Sequence, residues 1–405
     1  MFIKTSEAAQ NIFSVVLNPQ IKMSFDEIVQ KAAKCIEVRQ KVGTEENPRF
    51  IAFTAPSSIC SEKVRAVLGF KRVSYINYSV DLMTMENYHP DYCQMRTLGY
   101  TGDGLVGTAE WTGSTSMATF GFDPLVVPTL VDTKEKRVIV DSAKIIKYVD
   151  DELPEPALFN DTHQTLIEKH VTLVDDTPHA GLLYGGDPDK DFLPEVLKTA
   201  LFGSPSMHDL QKQSLVKWLN DKDLPSSLRH FYEAKLRKCM NVGQVVQKDP
   251  NRLRQGIAEI KRILSVLDAD LEHSKGPWIC DDTFTMADLV WHVSLLRLLT
   301  FGCSYLTETI PRVEAYRDRV LSQPLLKAAT YTWPGFIPSP HLTALLKKEG
   351  SFVLAERNRA LVVLLGLSGG LFLGLKELIK YLFDGWHGGM SLGILILVFT
   401  YTLEL

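Results

Sequence analysis

Between Arg49 and Asp151 the hydrophobic period changes in one fixed order, and few folds accept that order. Arg49–Thr54 (RFIAFT) reads as a strand, Ala55-Pro56-Ser57-Ser58 breaks it, and Cys60–Phe70 (CSEKVRAVLGF) has the spacing of an amphipathic helix. Val73–Val80 reads as a second strand, parallel to the first. Leu125–Val131 and Arg137–Val140, split by Thr133-Lys134-Glu135-Lys136, carry a hairpin pattern. A helix follows over Ser142–Asp151 with Ile145, Ile146 and Val149 facing inward. The order β-α-β then β-β-α predicts an α+β layer, helices packed on a mixed sheet.

That layer accounts for a fraction of the 405 residues, so a second domain is expected. Residues 81–123, rich in Gly, Ser and Thr, are long for a connection and read as an insertion, a lid or a partly mobile loop. Leu153-Pro154-Glu155-Pro156 reads as a linker, and Thr162 to about Gln323 is helical throughout. The sharpest helix start is Phe284–Leu289 (FTMADL): Thr285 is the candidate N-cap, Asp288 its N3 partner, and Phe284 and Leu289 a hydrophobic staple. Residues 24–42 have helical spacing with Ile28, Ala32, Cys35 and Ile36 on one side, which predicts an N-terminal helix. The first residues have neither an uninterrupted apolar core nor a strongly basic, acid-poor composition, so no secretory or transit segment is expected.

Charge and cysteine exclude several classes. With 44 basic and 48 acidic side chains the formal charge is −4, against the basic excess of a protein devoted to nucleic acid. The six cysteines are scattered with no C-x-x-C pair and no zinc spacing, so a reducing compartment is expected and no metal. Two uncharged runs stand apart, Ala360–Leu375 and Gly385–Leu403. As helices they would span roughly 24 Å and roughly 28 Å, against a bilayer core of ~30 Å. They predict a C-terminal membrane hairpin, the alternatives being a pair of buried core helices or one interfacial hairpin. Lys347, Lys348, Arg357 and Arg359 before the first run place the globular part on the cytosolic side.

Three segments carry candidate chemistry. Ser58-Ile59-Cys60-Ser61 sits where the first strand meets the first helix, and a thiol there faces the positive end of the helix, with Lys63 and Arg65 nearby. The alternative is that Cys60 is a small buried apolar residue. Pro128 opens a strand otherwise rich in β-branched residues, the setting of a cis peptide, which leaves the Val127 N–H and C=O for a peptide ligand. Asp141-Ser142 stands at the last strand-to-helix junction, as a carboxylate-binding turn or a simple N-cap. Pro178 interrupts a helical stretch beside His179, and His179 and Tyr184 are candidates for a substrate pocket, or structural side chains. Trp278, Trp291 and His292 read as core.

In this order the three segments resemble the thioredoxin-fold half of a glutathione transferase, and the FTMADL cap resembles that superfamily's all-helical half. The likeness spans about Arg49–Trp333. It implies a thioredoxin-like glutathione-binding domain (48–152) with the insertion 81–123, and an all-helical transferase C-terminal domain (157–340). The N-terminal helical extension (1–47) and the hydrophobic membrane tail (356–405) are read from the residues alone, and the tail departs from the family pattern. The likeness further implies that Val127 and Pro128 pair with the glutathione backbone and that Asp141 and Ser142 bind its γ-glutamyl end. Ser58-x-Cys60-Ser61 is similar to the S-x-C-S element of zeta-like members. The stretches FDPLVVPTLVD, DDTPHAGLLYGGDPDKD, GPWICDDTFTMADLVWHVSL and TWPGFIPSP resemble the bacterial dichlorohydroquinone reductive dechlorinases.

From that family follow glutathione as cosubstrate, a halogenated or quinone-like electrophile, and Ser58 or the helix end steadying the glutathione thiolate. Cys60 would accept the glutathionyl group as a mixed disulfide. A tailed protein of this kind also resembles the ganglioside-induced differentiation-associated proteins and metaxins of the mitochondrial outer membrane. This keeps a second reading open, a non-enzymatic membrane adaptor in organelle dynamics or import. The endoplasmic reticulum and the mitochondrial outer membrane both fit the tail, and the superfamily commonly forms homodimers.

Overall fold

The computed structural model describes residues 23–101, 121–177, 179, 207–245 and 250–335. In chain order its first half comprises α1 (Phe25–Lys34), β1 (Val38–Val42), β2 (Phe50–Thr54), α2 (Ile59–Phe70), β3 (Tyr75–Ser79), a 3-10 turn (Glu86–Tyr88) and α3 (Pro90–Thr97). The hairpin β4 (Thr129–Asp132) and β5 (Arg137–Val140) and the helix α4 (Ser142–Glu152) complete it. Among the described residues these strands form one sheet in the order β1-β3-β2-β4-β5. β2 and β3 are parallel as predicted, and the other neighbours are antiparallel.

Alternation along the strands divides the core in two. Phe50, Ala52, Leu130 and Ile139 face α2 and α4, in the cluster that holds Val64, Val67, Ile145 and Val149. Phe53, Val131, Val138 and Val140 face the other way, onto Val29 and Ala32 of α1 and Tyr92, Cys93 and Met95 of α3. The hairpin turn is fixed by Asp132, which accepts the N–H groups of Lys134 at 3.0 Å and Glu135 at 3.1 Å.

Two expectations for this half are corrected. The helix predicted over 24–42 is split. Ser24 and Glu27 form a reciprocal cap at 2.7 and 3.3 Å, α1 ends at Lys34, and Val38–Val42 becomes an edge strand along β3. Within the predicted extension, therefore, β1 belongs to the sheet and α1 covers one of its faces, while residues 1–22 lie outside the described part. Nor is 81–123 simply an inserted lid. His89 caps α3, Pro90 opens it, and Tyr88, Tyr92, Cys93, Met95 and Arg96 are buried. This helix, α3, packs with α1 on one face of the sheet; residues 102–120 lie outside the described part.

The second half is helical: α5 (Gln164–Asp176), α6 (Met207–Asn220), α7 (Ser226–Val245), α8 (Pro250–His273), α9 (Met286–Thr300), α10 (Tyr305–Glu308), α11 (Pro311–Leu321) and α12 (Pro324–Ala329). Every residue of α9 is buried, the polar Asp288, His292 and Arg297 included. Its start is where the sequence places it. The buried Asp288 carboxylate accepts the Thr285 N–H at 2.9 Å, the Thr285 hydroxyl at 3.1 Å, the Ile279 N–H at 3.1 Å and the Tyr316 hydroxyl at 2.9 Å. Trp291 and His292 are core, as expected.

The chain divides into Met1–Asn358 and Arg359–Leu405. The second unit, with the predicted membrane runs Ala360–Leu375 and Gly385–Leu403, lies outside the described residues. Among the described residues no helix is long and apolar enough to cross a membrane.

Candidate functional site

Register brings the three candidate segments together. Phe53 of β2 lies opposite Thr129 of β4, and Thr129 lies opposite Val140 of β5. The end of β2, the start of β4 and the end of β5 therefore share one edge of the sheet, at strand spacings of ~4.8 Å. Ser58 and Cys60 follow β2, Val127 and Pro128 precede β4, and Asp141 and Ser142 follow β5.

Ser58 is the N-cap of α2, its Oγ accepting the Ser61 N–H at 3.4 Å. That contact uses an acceptor site of the hydroxyl and leaves its proton to donate. Cys60 is half-buried in the first turn of the helix. The next turns hold what sequence reading did not foresee: Glu62, Lys63 and Arg65 are all buried. Helical spacing alone would turn such charges to water. They remain inside because groups from the helical half meet them.

Lys63 is 0% exposed and paired with Asp175 of α5. Burial works against its charge, but Asp175, Cys60 and Asp141 together outweigh burial and hold its pKa above the ordinary value. The ammonium is thus a fixed positive charge in electrostatic reach of two of the candidate segments. Arg65 donates to Ala55 O at 2.9 Å, Pro56 O at 2.7 Å and Ala329 O at 2.9 Å, and Arg297 of α9 donates to Ser57 O at 2.8 Å. Three consecutive carbonyls ahead of Ser58 are therefore held by buried guanidinium groups. The Glu62 carboxylate lies 3.9 Å from Arg297, and burial raises its pKa.

The Val127–Pro128 peptide bond is cis, in agreement with the sequence reading. Asp141 is the N-cap of α4, accepting the Ala143 N–H at 3.0 Å, and its backbone sits at φ 76° and ψ 123°. A non-glycine residue held there costs ~1–3 kcal/mol, and such positions gather at functional sites. Ser142 is buried at the first turn.

Of the two readings of His179, a pocket side chain or a structural one, its surroundings fit the second. It is 1% exposed, its Nε2 lies 2.7 Å from Ser294 Oγ, and burial, helped by Lys63 and Arg297, pushes its pKa down to about 3. Such a ring is neutral at physiological pH and supplies no imidazolium proton. It stands near Lys63, but as a packed side chain rather than an open pocket wall. Tyr184 lies outside the described residues. Among the described residues no group of acidic, His or Cys side chains has the geometry to hold a metal ion.

A family model described as "Glutathione S-transferase, C-terminal domain" matches residues 244–324. The chain is 36% identical over 306 residues to a 2,5-dichlorohydroquinone reductive dechlorinase of Sphingobium indicum strain B90A, covering 74% of this chain and 87% of that one. The protein of the same name from strain UT26 gives the same figures, 36% over 306 residues. Among solved structures, the glutathione transferase URE2P6 of Phanerochaete chrysosporium, in complex with oxidized glutathione, aligns at 15% identity and a TM-score of 0.43. The alignment covers 71% of this chain and 96% of that one.

Proposed function

This chain belongs to the glutathione transferase superfamily and within it to the family of the 2,5-dichlorohydroquinone reductive dechlorinases, and on that footing we propose that it reduces halogenated or quinone-like rings at the expense of glutathione. The observation that carries the reading is Cys60 at the start of α2, with the buried Lys63 ammonium behind it and the Val127–Pro128 and Asp141–Ser142 segments along the same sheet edge. Positive charge at that place favours sulfur anions, both the Cys60 thiolate and a bound glutathione thiolate.

In the proposed reaction glutathione lies along Val127 with its γ-glutamyl end at Asp141 and Ser142, and the Ser58 hydroxyl donates to its sulfur. The glutathione thiolate forms a bond to the ring carbon and halide leaves with the bonding electrons. The Cys60 thiolate then attacks the sulfur of the conjugate. The carbon–sulfur bond breaks, the ring carbon keeps the pair and takes a proton, and Cys60 holds glutathione as a mixed disulfide. A second glutathione releases it as glutathione disulfide, so one halide is lost for each two thiols oxidised.

The test uses the full chain in detergent micelles with 2,5-dichlorohydroquinone and glutathione. Chloride and glutathione disulfide are expected in equal amounts from the native protein. Cys60→Ser is expected to release chloride yet stop at the glutathionyl conjugate, with dechlorinated product down at least about a hundredfold. Dechlorinated product from Cys60→Ser at the native rate would sink the thiol step. We further propose that residues 360–403 anchor the enzyme, its globular part on the cytosolic face of the endoplasmic reticulum or mitochondrial outer membrane. Carbonate-resistant sedimentation with microsomes or mitochondria, abolished by deleting 351–405, is the expected result.

A further inference from the structure

The loop that leads into β4 is held from one side by buried polar side chains of the segment between β3 and β4. Asn87 Nδ2 donates to Leu125 O at 2.7 Å, and the Tyr92 hydroxyl donates to Val126 O at 3.0 Å. Arg96 Nη1 donates to Pro128 O and, at 2.6 Å, to Thr129 Oγ1, while Arg96 Nη2 reaches Asp123 O at 3.3 Å. The carbonyls of Leu125, Val126 and Pro128 are thus each taken by a buried donor. Val127 is passed over. Among the described residues no hydrogen bond forms to its N–H or its C=O, although the residue is only 9% exposed.

A peptide group in such a place is costly unless something pairs with it. An adjacent strand would do so, but β4 begins two residues later, at Thr129. The anchoring donors are also expensive to keep. A guanidinium, an amide and a phenol are withdrawn from water. The Arg96 Nη groups, the Asn87 amide and the Tyr92 hydroxyl are all directed at this one loop and the start of β4, although Arg96 Nε has no partner among the described residues.

We propose that Asn87, Tyr92 and Arg96 are positioning residues for ligand binding. By taking the carbonyls on both sides, they hold the Val127 peptide group unpaired and aligned for the main chain of an extended peptide, here the cysteinyl N–H and C=O of glutathione. This rests on the glutathione reading of the site. The device selects a ligand by its backbone amide, in the manner of a strand added to a sheet, while Asp141 and Ser142 read its charged end.

The experiment pairs two ligands with two variants of the full chain. Glutathione is compared by calorimetry with its depsipeptide analogue, in which an ester oxygen replaces the cysteinyl N–H. The native chain is expected to prefer glutathione about tenfold, the worth of one hydrogen bond. Tyr92→Phe and Asn87→Leu, each confirmed as folded by circular dichroism, are expected to weaken glutathione binding five- to tenfold while leaving the ester analogue nearly unchanged, so that the preference vanishes. A preference kept intact in both variants overturns the positioning role alone. Equal loss of both ligands also overturns it, since that is the mark of general damage. Failure of the native chain to bind glutathione at all overturns the glutathione reading, and this inference falls with it.

Discussion

Glu62 brings both carboxylate oxygens into the interior, where neither finds a hydrogen-bond partner. Among the described residues it pairs with Arg297, at 3.9 Å, beyond hydrogen-bond reach. Burial raises the pKa of the carboxyl group, and Arg297, Arg65 and Lys63 pull it back. The pair is asymmetric, because Arg297 also holds the Ser57 carbonyl and so serves the loop ahead of Cys60. Removing one member of a buried ion pair leaves the other charge uncompensated, at a cost of ~3–5 kcal/mol. Arg297→Met is therefore expected to lower stability by about 3 kcal/mol in urea unfolding, and Glu62→Gln in the same chain to recover half or more of that loss. A double variant no more stable than Arg297→Met would show that the arginine acts through the Ser57 carbonyl alone.

At the scale of elements, α9 depends on one carboxylate. Asp288 satisfies two backbone N–H groups and two hydroxyls in a site without water access. Asp288→Ala strips all four, and each buried donor left unpaired costs ~1–3 kcal/mol. The expected loss is at least about 4 kcal/mol, seen as a collapse of the urea midpoint or as insoluble expression. Asp288→Asn keeps an acceptor and is expected to fall between. An Asp288→Ala protein with the native midpoint would remove this cap from any account of the fold. The same element shows why parts of the fold were legible. The cap is local, written in Thr285 and Asp288 three residues apart, as are the alternation of β4 and β5 and the Ser58 helix start. What escaped is set by distant partners. Val38–Val42 carries Arg39, Gln40 and Lys41 and becomes a strand only by lying along β3. In α3 the polar Arg96 is buried with Tyr92 and Cys93, so its face has no clean stripe, and only His89-Pro90 marked its start. The candidate site divides the same way. Cys60, Val127 and Asp141 announce themselves at chain breaks, whereas Lys63, Asp175 and Arg297 acquire meaning only once the two halves meet, and the Asn87–Tyr92–Arg96 set only once the 3-10 turn and α3 fold back onto the loop ahead of β4.

Across the whole molecule, polar contacts cross between the halves beside the site: Lys63 to Asp175, Arg297 to Ser57, Arg65 to Ala329, Lys235 to Asp123 and Tyr232 to Tyr88. The candidate site thus depends on both halves being folded, and its acid tolerance is that of the joint core. Three histidines are neutral in that core. Burial pushes His179 down to about 3, and His170 and His292 each to about 4. In the unfolded chain each titrates near 6.5. Below that pH the unfolded chain binds more protons than the folded one, so stability is complete above about pH 6.5 and declines as the pH falls toward the folded values. Each histidine contributes a slope approaching 1.4 kcal/mol per pH unit, or roughly 1 kcal/mol between pH 7 and 5.5. Together they are expected to remove about 3–4 kcal/mol over that interval, before most carboxylates begin to protonate. Urea unfolding at the two pH values and constant ionic strength reads this directly. Equal unfolding free energies at pH 7 and 5.5 would mean that the rings gain protons without leaving the core, and that the joint between the halves admits water.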